Sequence, residues 1–313
     1  MRIGIKLPNC AGVICDPELA RPAHLEAIAR AADALGYASL WLHDHLATPD
    51  ELRRLEHPDF YEPVVVMTRL LARTDRIRFG IATIILPLRD PVLLAKQMAT
   101  LDGFAPGRAI LGVGGGRYED EFASLGSEAY PVRGRMTDEY IRIIRALWRD
   151  DEVSVQGKFR PLVRAKVYPK PLAPPPIWIG GNSEAAIRRT ARLGDAWVPA
   201  ALTVDEVAAG RRVLEEMARQ RGRDPATLGI GVSLTVELAR PGAAAAAHSI
   251  HVHPSAKRVA GTPAQVADRL RAYAAAGAGE FLLSFSARNV EETLEHMSVF
   301  AEHLDLPVHA RRS

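Results

Sequence analysis

The sequence predicts a closed (β/α)8 barrel, the TIM-barrel form of the α/β class. Short β-branched runs alternate with longer amphipathic segments, the alternation repeats eight times, and the chain has 313 residues. That rhythm marks parallel βα units, and eight of them in about 300 residues fit a closed barrel better than an open doubly wound sheet.

The first strand is expected over Arg2 to Leu7. A helix follows over His24 to Leu35, where Leu25, Ile28, Ala32 and Leu35 keep the spacing of one buried stripe and Gly36 stops it. Ala38 to Leu42 is the second strand, Pro63 to Ala72 a helix and Ile77 to Thr83 the third strand. Asp90-Pro91 caps the next helix, which runs toward Phe104. Ala109 to Val113 is the fourth strand, Thr137 to Trp148 a helix, Ile177 to Ile179 the fifth strand and Ser183 to Leu193 its helix. Ala196 to Val198 is the sixth strand, and Thr203 to Glu206 forms a capping box for a helix reaching Gln220. Ile230 to Leu238 is the seventh strand, Thr262 opens the following helix, Phe281 to Ser284 is the eighth strand and Asn289 caps the last helix. The whole of 1–313 is expected to be one barrel domain with insertions at about 150–176, where a hairpin is expected over Val153 to Phe159, and 241–261. Loops of that length are expected to act as lids or binding loops.

With 48% hydrophobic and 25% charged residues the composition is that of a globular protein. The net charge of +3 is dispersed, so no nucleic-acid partner is expected. Cys10 and Cys15 offer neither a disulfide framework nor a four-ligand zinc site. The chain opens Met-Arg-Ile-Gly-Ile-Lys without an apolar signal region, and no run approaches the roughly 20 apolar residues that cross a bilayer. A cytoplasmic protein without membrane contact is expected.

In such a barrel the chemistry lies at the carboxyl ends of the strands. After the second strand come Trp41-Leu42-His43-Asp44-His45, where an acid and two imidazoles could orient one another and exchange a proton near neutral pH. The same pair of histidines is half a metal site, but no other strand end offers ligands to complete it, and a strand-end Asp beside a surface His is the bland reading. The fourth strand ends in Gly114-Gly115-Gly116, whose backbone a flat or phosphorylated ligand can approach closely, although a tightly packed turn would read the same. The fifth ends in Gly180-Gly181-Asn182-Ser183 before a helix carrying Arg188 and Arg189. This is an anion site if the first-turn amides are free, and otherwise a turn with a simple N-cap. Glu119 and Glu121 follow the fourth strand at a helix start, where acids ordinarily complement the dipole.

Taken as a set, Trp41 to His45, Leu111 to Gly116 with Tyr118 and Glu119, Arg133-Gly134-Arg135 leading to Asp138-Glu139-Tyr140, Pro175 to Gly181, Gly194 to Trp197, and Gly261-Thr262-Pro263 resemble the bacterial luciferase-like monooxygenase superfamily, in its F420-dependent branch. The resemblance covers roughly Ile3 to Leu304. It implies a homodimeric TIM barrel that uses either the deazaflavin F420 in hydride transfer or reduced FMN with oxygen. His45 of the Asp44-His45 pair would then face the ring, and Ala82, Thr83 and Ile84 would lie behind it, often with a non-prolyl cis peptide. Gly114 and Gly115 would border the ring, Gly180, Gly181, Asn182 and Ser183 would hold the phosphate, and Arg288 would meet the phosphate or the acidic tail. Where the family's sugar-phosphate dehydrogenases carry an acid immediately after the fourth strand this chain has glycines, and Glu119 is the nearest candidate for that acid. The function expected is hydride transfer between F420 and a small organic substrate, with a separate flavin or F420 reductase as a possible partner. A two-component FMN monooxygenase is the close alternative. A metal-dependent hydrolase and a non-catalytic ligand-binding barrel are the distant ones.

Overall fold

The computed structural model describes residues 1–10, 17–50, 60–239 and 258–307. Eight parallel strands, β1 (Arg2–Lys6), β2 (Ser39–Leu42), β3 (Arg78–Ile81), β4 (Ala109–Gly114), β5 (Ile177–Gly180), β6 (Ala196–Val198), β7 (Gly229–Leu238) and β8 (Glu280–Phe285), pair in the order 7-8-1-2-3-4-5-6. The ring closes where Gly229 and Ile230 of β7 pair with Ala196 and Trp197 of β6. The expected TIM barrel is therefore the fold.

The outer helices are α1 (Pro22–Ala34), α2 (Pro63–Leu71), α3 (Pro91–Phe104), α4 (Glu119–Ser124), α5 (Arg133–Arg149), α6 (Glu184–Leu193), α7 (Val204–Arg219), α8 (Pro263–Ala275) and α9 (Val290–His303). Their starts follow local chemistry: Asp90 accepts from the amides of Val92 and Leu93, Asn289 accepts from Glu292, and Thr203 and Thr262 each form a complete capping box. α5 begins four residues before the expected Thr137, because a 3-10 turn at Tyr130–Val132 leads into it without a side-chain cap that the sequence could advertise. The hairpin strands are Val153–Val155 and Leu162–Ala165, separated by a turn whose amides at Lys158, Phe159 and Arg160 all donate to the Glu139 carboxylate on α5. The hairpin thus extends to Ala165, and Phe159, the expected end of the hairpin, lies in its turn.

The third strand is also shorter than expected. It ends at Ile81, the Ala82–Thr83 peptide is cis, and a two-residue strand at Ile84–Ile85 then pairs with β4. Within the expected 241–261 insertion, Arg258–Gly261 form a further strand along Thr235 to Leu238 of β7, and the rest of that insertion lies outside the described residues.

Alternate strand residues fill the barrel. At its base Glu280, buried, accepts from Arg2 Nε (2.8 Å), Arg78 Nη2 (2.7 Å) and Ser39 Oγ (2.6 Å). Above lies a cluster of Trp41, Ile110, Trp178, Ala196, Val198 and Leu282, with the two indoles 4.9 Å apart. Gly80 of β3 leaves room for the first indole, since a Cβ there would sit 2.3 Å from Trp41 Cζ3. One further step along the same inward-facing rows brings Lys6, His43 and Ser284 to the mouth on the side of β8, β1 and β2. Ala82, Gly112 and Gly180 reach it on the other side.

Candidate active site at the barrel mouth

The end of β2 is braced from β1. Buried Asn9 donates from Nδ2 to the His43 carbonyl (2.9 Å) and accepts at Oδ1 from the His43 amide (2.8 Å), holding the chain extended as it leaves the barrel. Asp44 then turns away from the mouth. Its Oδ2 accepts from the Ile85 amide at 2.9 Å, its Oδ1 accepts from Arg89 Nη2, and Arg89 Nη1 reaches Glu62 at 2.8 Å. Burial pushes the Asp44 carboxyl up, while the Arg89 charge and the Ile85 hydrogen bond oppose the shift. Asp44 thus ties the ends of β2 and β3 together and is not hydrogen-bonded to His45.

His45 meets a different acid. Its Nδ1 lies 2.9 Å from Glu121 Oε2, and the other carboxylate oxygen accepts from the Leu46 amide at 3.0 Å. The Glu121 side chain is fully buried and that of His45 is 18% exposed. Phe60 packs edge-on to the imidazole, with ring centroids 4.8 Å apart, and Tyr118 lies at 5.8 Å. Both Glu119 and Glu121 stand on α4, but residues two apart on a helix point to opposite sides. With Glu121 turned inward, Glu119 is exposed to solvent. The sequence marks this phase only through Phe122, the buried anchor that follows Glu121.

The wall opposite β1 consists of small residues packed around Thr83. A Cβ at Gly180 would fall 2.4 Å from Thr83 Cγ2, and one at Gly114 would fall 2.6 Å from Thr83 Oγ1. These two glycines therefore make room for the Thr83 side chain. Gly115 differs: a Cβ there would meet only ordinary contacts, with Thr137 Oγ1 at 3.6 Å and Arg133 Cγ at 3.7 Å. A side chain there would point toward α5 and meet no clash.

In the loop after β5, Gly181 has φ +120° and its amide donates to Val198 O at 3.2 Å. The Asn182 side chain pairs both ways with the Ala200 backbone, at 2.8 and 2.9 Å, and Ser183 caps α6 through the Ala186 amide. Arg188 is bound to Glu184 (2.7 Å) and Arg189 to Asp138 (2.5 Å), so neither guanidinium is aimed at this loop. Ser183 thus takes the Ala186 amide, and what the loop offers an anion is the amides of Glu184 and Ala185, which an α-helix leaves without intrahelical partners. Arg288 folds back onto Glu292, its amide 2.7 Å and its Nε 3.0 Å from Oε2, and caps the start of α9.

Two more groups complete the mouth: Lys6, which the sequence did not single out, and His43 of the histidine pair after β2. Lys6 closes β1, and burial lowers its ammonium from the usual 10.5 to about 8, opposed by Cys10. His43 is held well below the ordinary imidazole value by burial and by the charges of Lys6 and His45. Among the described residues no group of three or more His, Cys, Asp or Glu could hold a metal, and no helix is long and apolar enough to cross a membrane.

Known proteins share this architecture. A solved F420-dependent secondary alcohol dehydrogenase, in complex with an F420-acetone adduct, superposes with a TM-score of 0.81 at 20% identity over 99% of both chains. The oxygenating constituent of 3,6-diketocamphane monooxygenase from Pseudomonas putida, in complex with FMN, superposes with a TM-score of 0.74 at 17% identity over 97% of this chain and 97% of that one. In sequence, an uncharacterised Mycobacterium tuberculosis protein is 34% identical over 208 residues, 61% of this chain and 72% of that protein. The F420-dependent glucose-6-phosphate dehydrogenase of Kineococcus radiotolerans is 31% identical over 196 residues, 61% of this chain and 56% of the dehydrogenase. The family model described as luciferase-like monooxygenase matches residues 1–258, and the chain belongs to that family of oxidoreductases.

Proposed function

We propose that the chain is an F420-dependent oxidoreductase acting on a small organic substrate at the barrel mouth. The observation that carries this reading is the His45–Glu121 pair at the end of β2, at the same mouth as Gly114 and Gly180, the small residues packed around Thr83 at the end of the neighbouring β3. Family membership and likeness to F420-dependent dehydrogenases support it.

The residues at the mouth fit a flavin-type group. Ala82, Thr83 and Ile84 would back the ring, the open backbone of Gly115 would border it, and the α6 amides beyond Gly181 and Ser183 would take a phosphate. When bound, the deazaflavin supplies or accepts the hydride. Glu121, as a carboxylate, accepts from Nδ1–H of His45 and so presents Nε2 to the mouth as the free acceptor. There His45 is placed to take the hydroxyl proton of a substrate being oxidised to a carbonyl, or to return it in the reverse direction. Asp44 acts by fixing the His45 backbone through Arg89 and Ile85. Glu119 stays in solvent, and Arg288 serves α9.

Reduced FMN with oxygen is the second reading, supported by the likeness to a monooxygenase solved with FMN. Steady-state assays with F420 and with reduced FMN, each against a panel of alcohols and carbonyl compounds, separate the two. F420-coupled turnover is expected, and oxygen uptake with reduced FMN alone would replace the first reading by the second. If the loop after β5 takes the phosphate, Gly181→Glu puts a carboxylate beside it and weakens cofactor binding strongly in a fluorescence titration. An unchanged affinity would refute that assignment.

A further inference from the structure

The polar side of the mouth carries groups that the proposed hydride transfer does not use. Lys6 at the end of β1 has neither a hydrogen-bond nor an ion-pair partner among the described residues, although burial penalises its charge. On one neighbouring strand end stands His43, whose imidazole burial and the nearby Lys6 charge hold neutral. On the other is Ser284, with its hydroxyl on the same inward-facing row as Leu282. Lys6, His43 and Ser284 form the polar edge of a cavity of about 30 Å³ that is otherwise walled by apolar residues such as Leu7, Leu19 and Ile28, between the ends of β8, β1 and β2 and the outer helices α1 and α9. That is room for a water or one small polar group and not for a whole ligand.

We propose that Lys6, His43 and Ser284 form the substrate's anchoring subsite and that they take an anionic oxygen group, a carboxylate or a phosphate, carried by the substrate. Lys6, His43 and Ser284 are each half-buried, and a partly desolvated positive charge without an ion-pair partner among the described residues gains from an anion. The lysine supplies that charge and up to three donors. The serine adds a hydroxyl donor, and the neutral imidazole adds an N–H without a second positive charge. The cavity admits only the head group, so the rest of the substrate extends into the mouth toward His45. The same arrangement discriminates against neutral substrates, which would cover the half-buried ammonium without supplying a counter-charge. This inference rests on the proposed oxidoreductase reading, because it assigns a substrate class to that same mouth.

The test is the titration of Lys6 itself. The full-length protein is reductively ¹³C-methylated, and the Lys6 resonance is assigned by its loss in Lys6→Met and, independently, in Lys6→Gln. Its pH titration is then followed in sodium acetate, in inorganic phosphate and in sodium chloride of matched ionic strength. The groups that face it are Cys10 and His43, so the same series on His43→Gln separates the influence of the imidazole from that of the anion. Saturable binding of acetate or phosphate is expected to raise the Lys6 pKa by about one unit, the direction an opposite charge imposes, with no such rise in chloride. Whichever anion acts at the lower concentration identifies the head group. A Lys6 resonance that moves equally in all three salts, or that titrates at the ordinary lysine value, would overturn the subsite. Titration of the unmodified wild type with F420, followed by ring fluorescence, keeps the two claims apart. F420 binding with an unresponsive Lys6 removes the subsite alone, and a responsive Lys6 without F420 or FMN binding keeps the anion site but removes the reading on which it rests.

Discussion

His45 Nδ1 and Glu121 Oε2 are 2.9 Å apart, with the carboxylate fully buried and held from its other oxygen by the Leu46 amide. A carboxylate so placed accepts only, and therefore selects the imidazole tautomer that leaves Nε2 open. Glu121→Gln keeps the size of the side chain but presents an amide in place of a carboxylate. The variant is expected to fold and to lose turnover by about tenfold or more. ¹⁵N NMR should show the His45 proton redistributed toward Nε2. An unchanged tautomer with unchanged turnover would mean that Glu121 only packs.

His45→Ala tests the imidazole directly. It is expected to keep the fold, since 18% of the side chain faces solvent, and to lose about 10²-fold or more in kcat, the scale of lost acid–base help. Glu119→Gln, on the exposed side of α4, should leave kcat within about twofold. A larger loss at Glu119 than at Glu121 would reverse the assignment made from the helix phase.

The Thr83 wall can be tested by packing. Gly180→Ala places a Cβ within 2.4 Å of Thr83 Cγ2 and is expected to destabilise by about 1–3 kcal/mol in denaturant unfolding. Gly180→Ala combined with Thr83→Ala should recover part of that loss, because the two residues share one space. Gly115→Ala, with only ordinary contacts near its new methyl group, should cost little stability yet weaken cofactor binding if the ring borders this backbone. Equal stability losses at Gly115 and Gly180 would contradict the distinction.

Lys6 predicts a pH dependence of stability. Its folded value of about 8 lies below the ordinary 10.5, so between these values the unfolded chain binds more protons and stability rises with pH. The penalty for the buried charge is present in full below about pH 8 and is relieved by pH 10.5. Lys6→Met should therefore be more stable than the wild type at pH 7, with the gap closing as the pH is raised through that window. Comparing the two proteins cancels Tyr37, whose phenol burial pushes far up in both. A gap that stays constant with pH would contradict the account.

Glu280 provides a control at the far end of the barrel. Glu280→Gln leaves Arg2 and Arg78 without their shared carboxylate and should cost roughly 3 kcal/mol. KM should not change, because the base network does not reach the mouth.

The barrel was legible because its cues are local. Asp90, Asn289, Thr203 and Thr262 each act within four residues and open their helices where expected. Seven of the eight strands fall within about a residue of the expected bounds, the third ending early at Ile81. The site was legible only in outline. His45 stands out by type and place, but its partner depends on the phase of a six-residue helix, too short for apolar periodicity to fix. Asp44 finds Arg89, 45 positions away, and Glu139 finds the hairpin turn about 20 positions away, pairings that no local pattern encodes. Gly114 and Gly180 read equally well as ligand-facing backbone or as tight packing until Thr83 is placed between them. Lys6 looks like the polar end of a strand, and only the closed ring of β8, β1 and β2 puts it beside His43.

Central to the account is that the mouth of this barrel binds F420 through the elements around His45. Parallel titration of the wild type with F420, FMN and NADPH, following ring fluorescence, tests it most directly. Saturable binding of F420, tighter than that of FMN and absent for NADPH, is the predicted result. NADPH binding, or no saturable response to either flavin-type ring, would contradict it.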